Sequence, residues 1–335
     1  MQHKKRQTAK NVFMPKKISK PLAKKERKCY NLTQNVKDSE RYAMKKRFLP
    51  SALLLLAAII WGFAFVAQRV GADYLGAFAF GGIRFTLGGI VLIPVILLFD
   101  RKKPEKEEWK HLIFWSLIAG VILFSGSVMQ QFGLQWSGSA GKVSFITGLY
   151  TVLVPVCAVF LGKRIHKLTW VGVACAVVGL YLVCVGGSES FGQGDIITLV
   201  STFVWTGHIL VIDAAAKRVN PLWLSCGQFL VCGMLSLCCA ALFEEVTFAA
   251  IESALIPLLY GGLLSVGVGF TLQTVGQKRA DPTAASIIMS TESVFGAIGG
   301  ALILKERMSW YGYLGCTLMF TGIILAQLKQ PQENY

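Results

Sequence analysis

The sequence predicts an all-α integral membrane protein with ten transmembrane helices arranged as two inverted five-helix repeats. Three observations lead there. Hydrophobic residues make up 54% of the 335, charged residues only 16%, and the mean hydropathy is +0.55; a soluble domain carries about 25% charged residues. Ten stretches of roughly 17–25 residues hold few charges, each long enough to cross about 30 Å of hydrocarbon. In lipid every backbone group must be satisfied within its own segment, so these stretches are helices. Finally, the signals recur. Trp61-Gly62, Arg69, Arg84 and Phe99 find partners in Trp205-Thr206, Asp213, Gln228 and Phe243, about 144 positions on. Gln130 and Gly133 find Gln273 and Gly276 about 143 on, and Trp170-Val171-Gly172 returns as Trp310-Tyr311-Gly312. Two copies with an odd number of spans lie in opposite orientations, the logic of secondary transporters with a site between the halves.

The expected spans of the first repeat (49–187) are 49–69, 75–99, 112–135, 141–162 and 168–187. Those of the second (194–328) are 194–213, 222–243, 255–278, 283–304 and 309–328. The loops between them are short, as helical bundles prefer. Pro94 and Pro155 interrupt the ladder of the second and fourth spans, and Thr147-Gly148 adds a flexible spot; hinges and static bends are both open readings. Gly81-Gly82, Gly88-Gly89, Gly261-Gly262 and Gly299-Gly300 let helices approach closely where lipid gives no reward for burying apolar surface.

Charge is concentrated at one end of the chain. Residues 1–48 hold 16 of the 34 Lys/Arg and 3 of the 18 Asp/Glu, so the body is nearly neutral. This tail has few bulky apolar residues and no periodic pattern, and reads as disordered; it has no apolar core and is no signal peptide. Met44-Lys45-Lys46-Arg47 is an alternative start. With the tail in the cytoplasm, loops containing Arg101-Lys102-Lys103, Lys163-Arg164, Lys217-Arg218 and Lys278-Arg279 also fall inside, as the positive-inside bias requires. Only Lys305-Glu306-Arg307 disagrees, by one charge. Both termini, including residues 329–335, are then cytoplasmic, and the plasma membrane is the expected location. Eight of the nine cysteines lie in or beside apolar runs without a C-x-x-C pair, so they read as packing residues.

The chain resembles the EamA-type transporters of the drug/metabolite transporter superfamily. The resemblance rests on Ile60-Trp61-Gly62-Phe63-Ala64-Phe65-Val66, Ile83-Arg84-Phe85, Gln130 with Gly133-Leu134, the Pro155 helix followed by Lys163-Arg164, and Leu304-Lys305-Glu306-Arg307 before Trp310-x-Gly312. It covers about 48–328. It implies two inverted five-helix repeats that move small organic solutes, often outward, through a cavity lined by spans 1–4 and 6–9, with spans 5 and 10 peripheral. The family often ends its fourth span with Gly-Glu-Arg. Here the acid is replaced, as Gly162-Lys163-Arg164, and survives only as Glu306.

Polar residues at membrane depth are the site candidates. An ionised carboxylate at Glu292 costs on the order of 2.5–3.5 kcal/mol on insertion scales. It reads either as a proton-coupling or substrate-amine site, or as half of a fixed salt bridge. Arg84 keeps its charge; it reads as a fork for a substrate carboxylate or phosphate, or as a structural partner of Glu292 or of helix carbonyls. Its counterpart Gln228 is neutral, which suits an asymmetric solute. His208 is a relay or an interhelical hydrogen-bond group. Gln130, Gln131 and Gln273 are cavity donors or interhelical glue. Trp61 and Trp205 are stacking walls or packing bulk. Arg69, Lys142 and Asp213 sit near helix ends and are expected to snorkel.

No phosphate-binding loop, metal-ligand spacing or serine elbow is present in the sequence, so no cofactor is expected and transport is passive or ion-driven. The expected partners are a small-molecule solute, membrane lipids, protons and a second copy of the chain, and not nucleic acid. A membrane-embedded enzyme would need clustered carboxylates or histidines at one interface, which are missing from the sequence. A lipid or lipid-linked-sugar flippase and a non-transporting scaffold stay open, since fold alone does not assign a solute.

Overall fold

The computed structural model describes residues 49–99, 105–160, 162, 166–185, 192–307 and 309–327. The basic tail, the C-terminal residues 329–335 and the loops holding Arg101-Lys102-Lys103, Lys163-Arg164 and Glu189 lie outside the described residues. The ordered elements are α1 (Leu49–Gly71), α2 (Ala77–Phe99), α3 (Lys106–Ser137), α4 (Ala140–Thr147), α5 (Tyr150–Phe160), α6 (Lys167–Val185), α7 (Gln193–Ala216) and α8 (Pro221–Phe243). They continue with α9 (Phe248–Ser253), α10 (Leu255–Leu259), a π-helical segment Tyr260–Phe270, α11 (Thr271–Gln277), α12 (Pro282–Met289), α13 (Glu292–Ile303) and α14 (Trp310–Gln327). The described residues are all-helical, and eight stretches are long and apolar enough to cross a membrane. The fifth and tenth expected spans are α6 and α14, which pack along each other.

The fourth and ninth expected spans are each broken in two, at Gly148-Leu149 and at Ser290-Thr291. Hydroxyls explain why the ladder gives way. Ser144, Ser286, Ser290 and Thr291 each donate to the carbonyl three residues back, at 2.7–2.8 Å. Such bonds compete with the regular helical pattern. The backbone answers with tighter turns: Leu149 N–H donates to Ile146 O, and Thr291 N–H to Ile288 O, both at 3.2 Å. Pro155 then removes one more donor from α5.

The broken helices cross reciprocally. α4 packs on α13, and α5 on α12. Thr151 Oγ1 donates to Ser286 O at 3.2 Å, and Ser293 Oγ donates to Ser144 O at 2.7 Å. Each bond is the other with the copies exchanged.

At the end of the bundle carrying Gly138, helix starts are capped from a distance. Glu306 accepts from Ala140 N–H at 2.9 Å, and from Gly141 N–H and Ser139 Oγ at 3.1 Å. Glu244 accepts from the backbone N–H groups of Phe78 at 2.9 Å and Ala79 at 2.7 Å. Carboxylates of the second half thus cap α4 and α2 of the first, where helix dipoles favour anions. At the opposite end, α8 and α12 are capped by the adjoining Asn220 and Asp281.

Candidate functional site

The crossing brings two residues of equivalent position face to face. Tyr150 and Glu292, 142 positions apart, each open the helix that follows a break. The Tyr150 hydroxyl donates to Glu292 Oε1 at 2.9 Å, and both side chains are buried. This is the single hydrogen bond to the Glu292 side chain among the described residues, and the carboxylate borders a cavity. No salt bridge holds it, so the fixed-ion-pair reading of Glu292 fails among the described residues.

Arg84, 3% exposed, lines the same cavity from α2. Its guanidinium lies 4.8 Å from the ring centre of Phe85 and 5.5 Å from that of Phe80. Nε is buried without a partner, and among the described residues no carboxylate or carbonyl pairs with the group. Taking such a charge out of water costs several kcal/mol, of which each aromatic face returns about 2 kcal/mol. The buried Nε still lacks an acceptor, which an anion in the cavity would supply.

The walls are aromatic. Phe270 stands between the two tryptophans, its ring centre 4.7 Å from Trp61 and 6.0 Å from Trp205. Each indole lies against a glycine of the other half. A Cβ on Gly269 would meet Trp61 Nε1 at 2.7 Å, and one on Gly126 would meet Trp205 at 3.4 Å. Trp61 Nε1 donates to Ser265 O at 3.2 Å, from the π-helical segment, while Trp205 Nε1 is buried without a partner. Gln130 Nε2 donates to Thr147 Oγ1 at 3.2 Å, and Gln273 Oε1 is buried and unsatisfied.

These groups line a cleft whose empty space, open side included, is about 500 Å³. Six of the nine sequence-derived candidates line it: Trp61, Arg84, Gln130, Trp205, Gln273 and Glu292. His208 and Gln228 do not. They bond each other at 2.9 Å, with the imidazole edge against Trp205 and Phe270. Sequence reasoning missed Tyr150, Thr147, Ser265, Phe270 and Gln68, which also line the cavity. Gln131, read as a cavity group or as glue, acts as glue: its Nε2 donates to Gln68 O of α1 at 3.0 Å.

The helix-end residues are more tied down than expected. Lys142 does not snorkel: it makes a 2.8 Å ion pair with Asp195, with side chains 13% and 2% exposed. Arg69 donates to Asp73 at 2.6 Å and to Gly138 O at 2.9 Å. Asp213 pairs with Lys217 at 2.9 Å. Among the described residues no group of three His, Cys, Asp or Glu could hold a metal ion.

The EamA-like transporter family matches residues 49–185 and again residues 192–328. The chain belongs to this family. Both halves of the cavity are therefore built by EamA repeats, and the chain is a multi-pass membrane transporter. Among its relatives is an "Uncharacterized transporter" of Archaeoglobus fulgidus, 27% identical over 85% of this chain and 87% of that one. Another, of Escherichia coli (strain K12), is named "Probable amino-acid metabolite efflux pump" and is 23% identical over 82% and 93% of the two chains. A solved crystal structure shares the fold with a TM-score of 0.69 at 20% identity, covering 84% of this chain and 97% of its own.

Proposed function

We propose that this EamA transporter is a secondary-active exporter of a small zwitterionic metabolite of amino-acid type. It works by alternating access and is coupled to protons through Glu292. The observation that carries the reading is the pairing of opposite charges around one cavity. Arg84 has no anionic partner among the described residues, and Glu292 is held only by a hydroxyl. A solute with a carboxylate and an ammonium satisfies both at once, the carboxylate through the bidentate geometry that guanidinium favours. When the site is empty, a proton on Glu292 can take the place of the ammonium, so proton and solute compete and exchange. The name of the Escherichia coli relative agrees with the solute class.

The reciprocal bonds at the helix crossing are what two inverted copies would make, and they support ten spans in two opposed repeats with α6 and α14 peripheral. The Lys/Arg bias of the loop sequences supports cytoplasmic termini.

The test uses purified protein in liposomes loaded with the twenty protein L-amino acids. A proton gradient directed inward is imposed and loss of each solute is measured. Selective loss of some amino acids, abolished in Glu292→Gln, is the expected result. Selective loss that persists unchanged in Glu292→Gln would remove the carboxylate from the mechanism. No selective loss in either gradient direction would overturn the exporter reading.

A further inference from the structure

Tyr150 lies at a place where the two repeats differ in charge at equivalent structural positions. Its backbone counterpart is Glu292, each being the first residue after a break. The exchange of Thr151–Ser286 and Ser293–Ser144 bonds fixes both half-helices in register with one another. Register alone would hold the crossing together. The Tyr150 hydroxyl adds nothing to that exchange, because its acceptor is the carboxylate itself. It ties down one oxygen of Glu292 while the side chain borders the cavity.

We propose that Tyr150 is the positioning residue for Glu292: it aims the carboxylate so that its second oxygen meets the solute's ammonium. The inference rests on the reading of Glu292 given above. A carboxylate on a side chain with three rotatable bonds samples many orientations, and fixing it on binding costs affinity. A hydrogen bond to a charged group settles the orientation beforehand. The hydroxyl reaches Glu292 from the other repeat, so the carboxylate is aimed only while α5 and α13 stand in this arrangement. Rocking of one repeat against the other would release the aim, and with it the grip on the solute. In this way a single cross-repeat bond makes affinity depend on conformational state without any new contact to the solute.

The experiment is a double-mutant cycle read by calorimetric binding of each of the twenty protein L-amino acids, titrated singly into detergent-purified full-length protein. The variants are Tyr150→Phe, Glu292→Gln and the pair. Tyr150→Phe removes one atom and keeps the ring, and Thr151→Val serves as a control that removes a crossing bond without touching Glu292. The expected result is a Kd raised about tenfold in Tyr150→Phe, the scale of one hydrogen bond to a charged group. In the Glu292→Gln background the same change should alter Kd by less than about twofold, since neighbours that act together are not additive. Thr151→Val should lower the melting temperature with little effect on Kd. Equal, multiplying effects of Tyr150→Phe in both backgrounds would assign the tyrosine a purely structural role and overturn the proposal. So would an unchanged Kd in Tyr150→Phe beside a weakened Glu292→Gln, and that outcome leaves the exporter reading standing. Wild-type binding by Glu292→Gln would instead overturn the reading of the site and the tyrosine's role together.

Discussion

The two halves of the molecule share a frame and differ in what they hang on it. In the first, the broken fourth span restarts at Tyr150; in the second, at Glu292. The second span carries Arg84 in one copy and Gln228 in the other. Arg84 reaches the cavity, whereas Gln228 turns to His208. The third span is a regular helix in the first copy, while in the second it holds eleven residues of π-helix that deliver Ser265 and Phe270 to the cavity. Such widened turns are frequent at functional sites. What is symmetric is backbone: breaks, reciprocal bonds and tryptophans seated on glycines. What is asymmetric is charge, and a solute with two different ends reads charge.

The comparison can be broken at several points. The largest effect is expected at Glu292, where Gln removes both the ammonium partner and the proton carrier. Gradient-driven efflux should fall by about a hundredfold or more, on the scale of losing a buried charge pair, while passive exchange of solute is the measurement that tells coupling from folding. Next comes Arg84→Leu, where function and stability should move in opposite directions. Solute binding should weaken by more than tenfold, the order of 1.4 kcal/mol or more. The melting temperature should rise by a few degrees, because an unpaired buried charge is replaced by an apolar group of similar volume. A lower melting temperature would show that the guanidinium holds the fold instead.

A smaller effect is expected at the walls. Trp205→Phe keeps an aromatic face but loses area, and should weaken binding by about fivefold, on the scale of about 1 kcal/mol of stacking, with binding calorimetry as the check. The smallest effect separates the two ends of the bundle. Glu306→Ala and Asp281→Ala should each cost about 1 kcal/mol of stability, as lost helix caps do. Only Glu306→Ala, which removes a bond between the halves, should also raise the reactivity of a cysteine placed at Ser139.

Much of this was legible in the sequence. Apolar runs gave the membrane class, and the matching of Trp61 with Trp205 and Gln130 with Gln273 gave the two copies. Six of the nine candidates line the cavity; a polar group in an apolar run is costly and so stands out. Tyr150 was not found, for two reasons. A tyrosine in such a run is unremarkable, and the spacing between copies drifts with loop length, from about 144 at the first span to 142 at the fourth, so its match to Glu292 was hidden. Thr147-Gly148 marked the break of the fourth span in the sequence, but that of the ninth was concealed: it lies among hydroxyls bonding to nearby carbonyls, which hydropathy does not register. The ion pair of Lys142 with Asp195 joins residues 53 positions apart, beyond the reach of any local pattern.

The central claim is that opposite charges on the two halves read opposite ends of one solute. The most direct measurement compares binding of the preferred amino acid with its amide, which lacks the carboxylate, and its 2-hydroxy acid, which lacks the amine. The account predicts that the wild-type protein binds only the zwitterion well, that Arg84→Leu no longer distinguishes the amide, and that Glu292→Gln no longer distinguishes the hydroxy acid. Wild-type protein binding all three equally would contradict it.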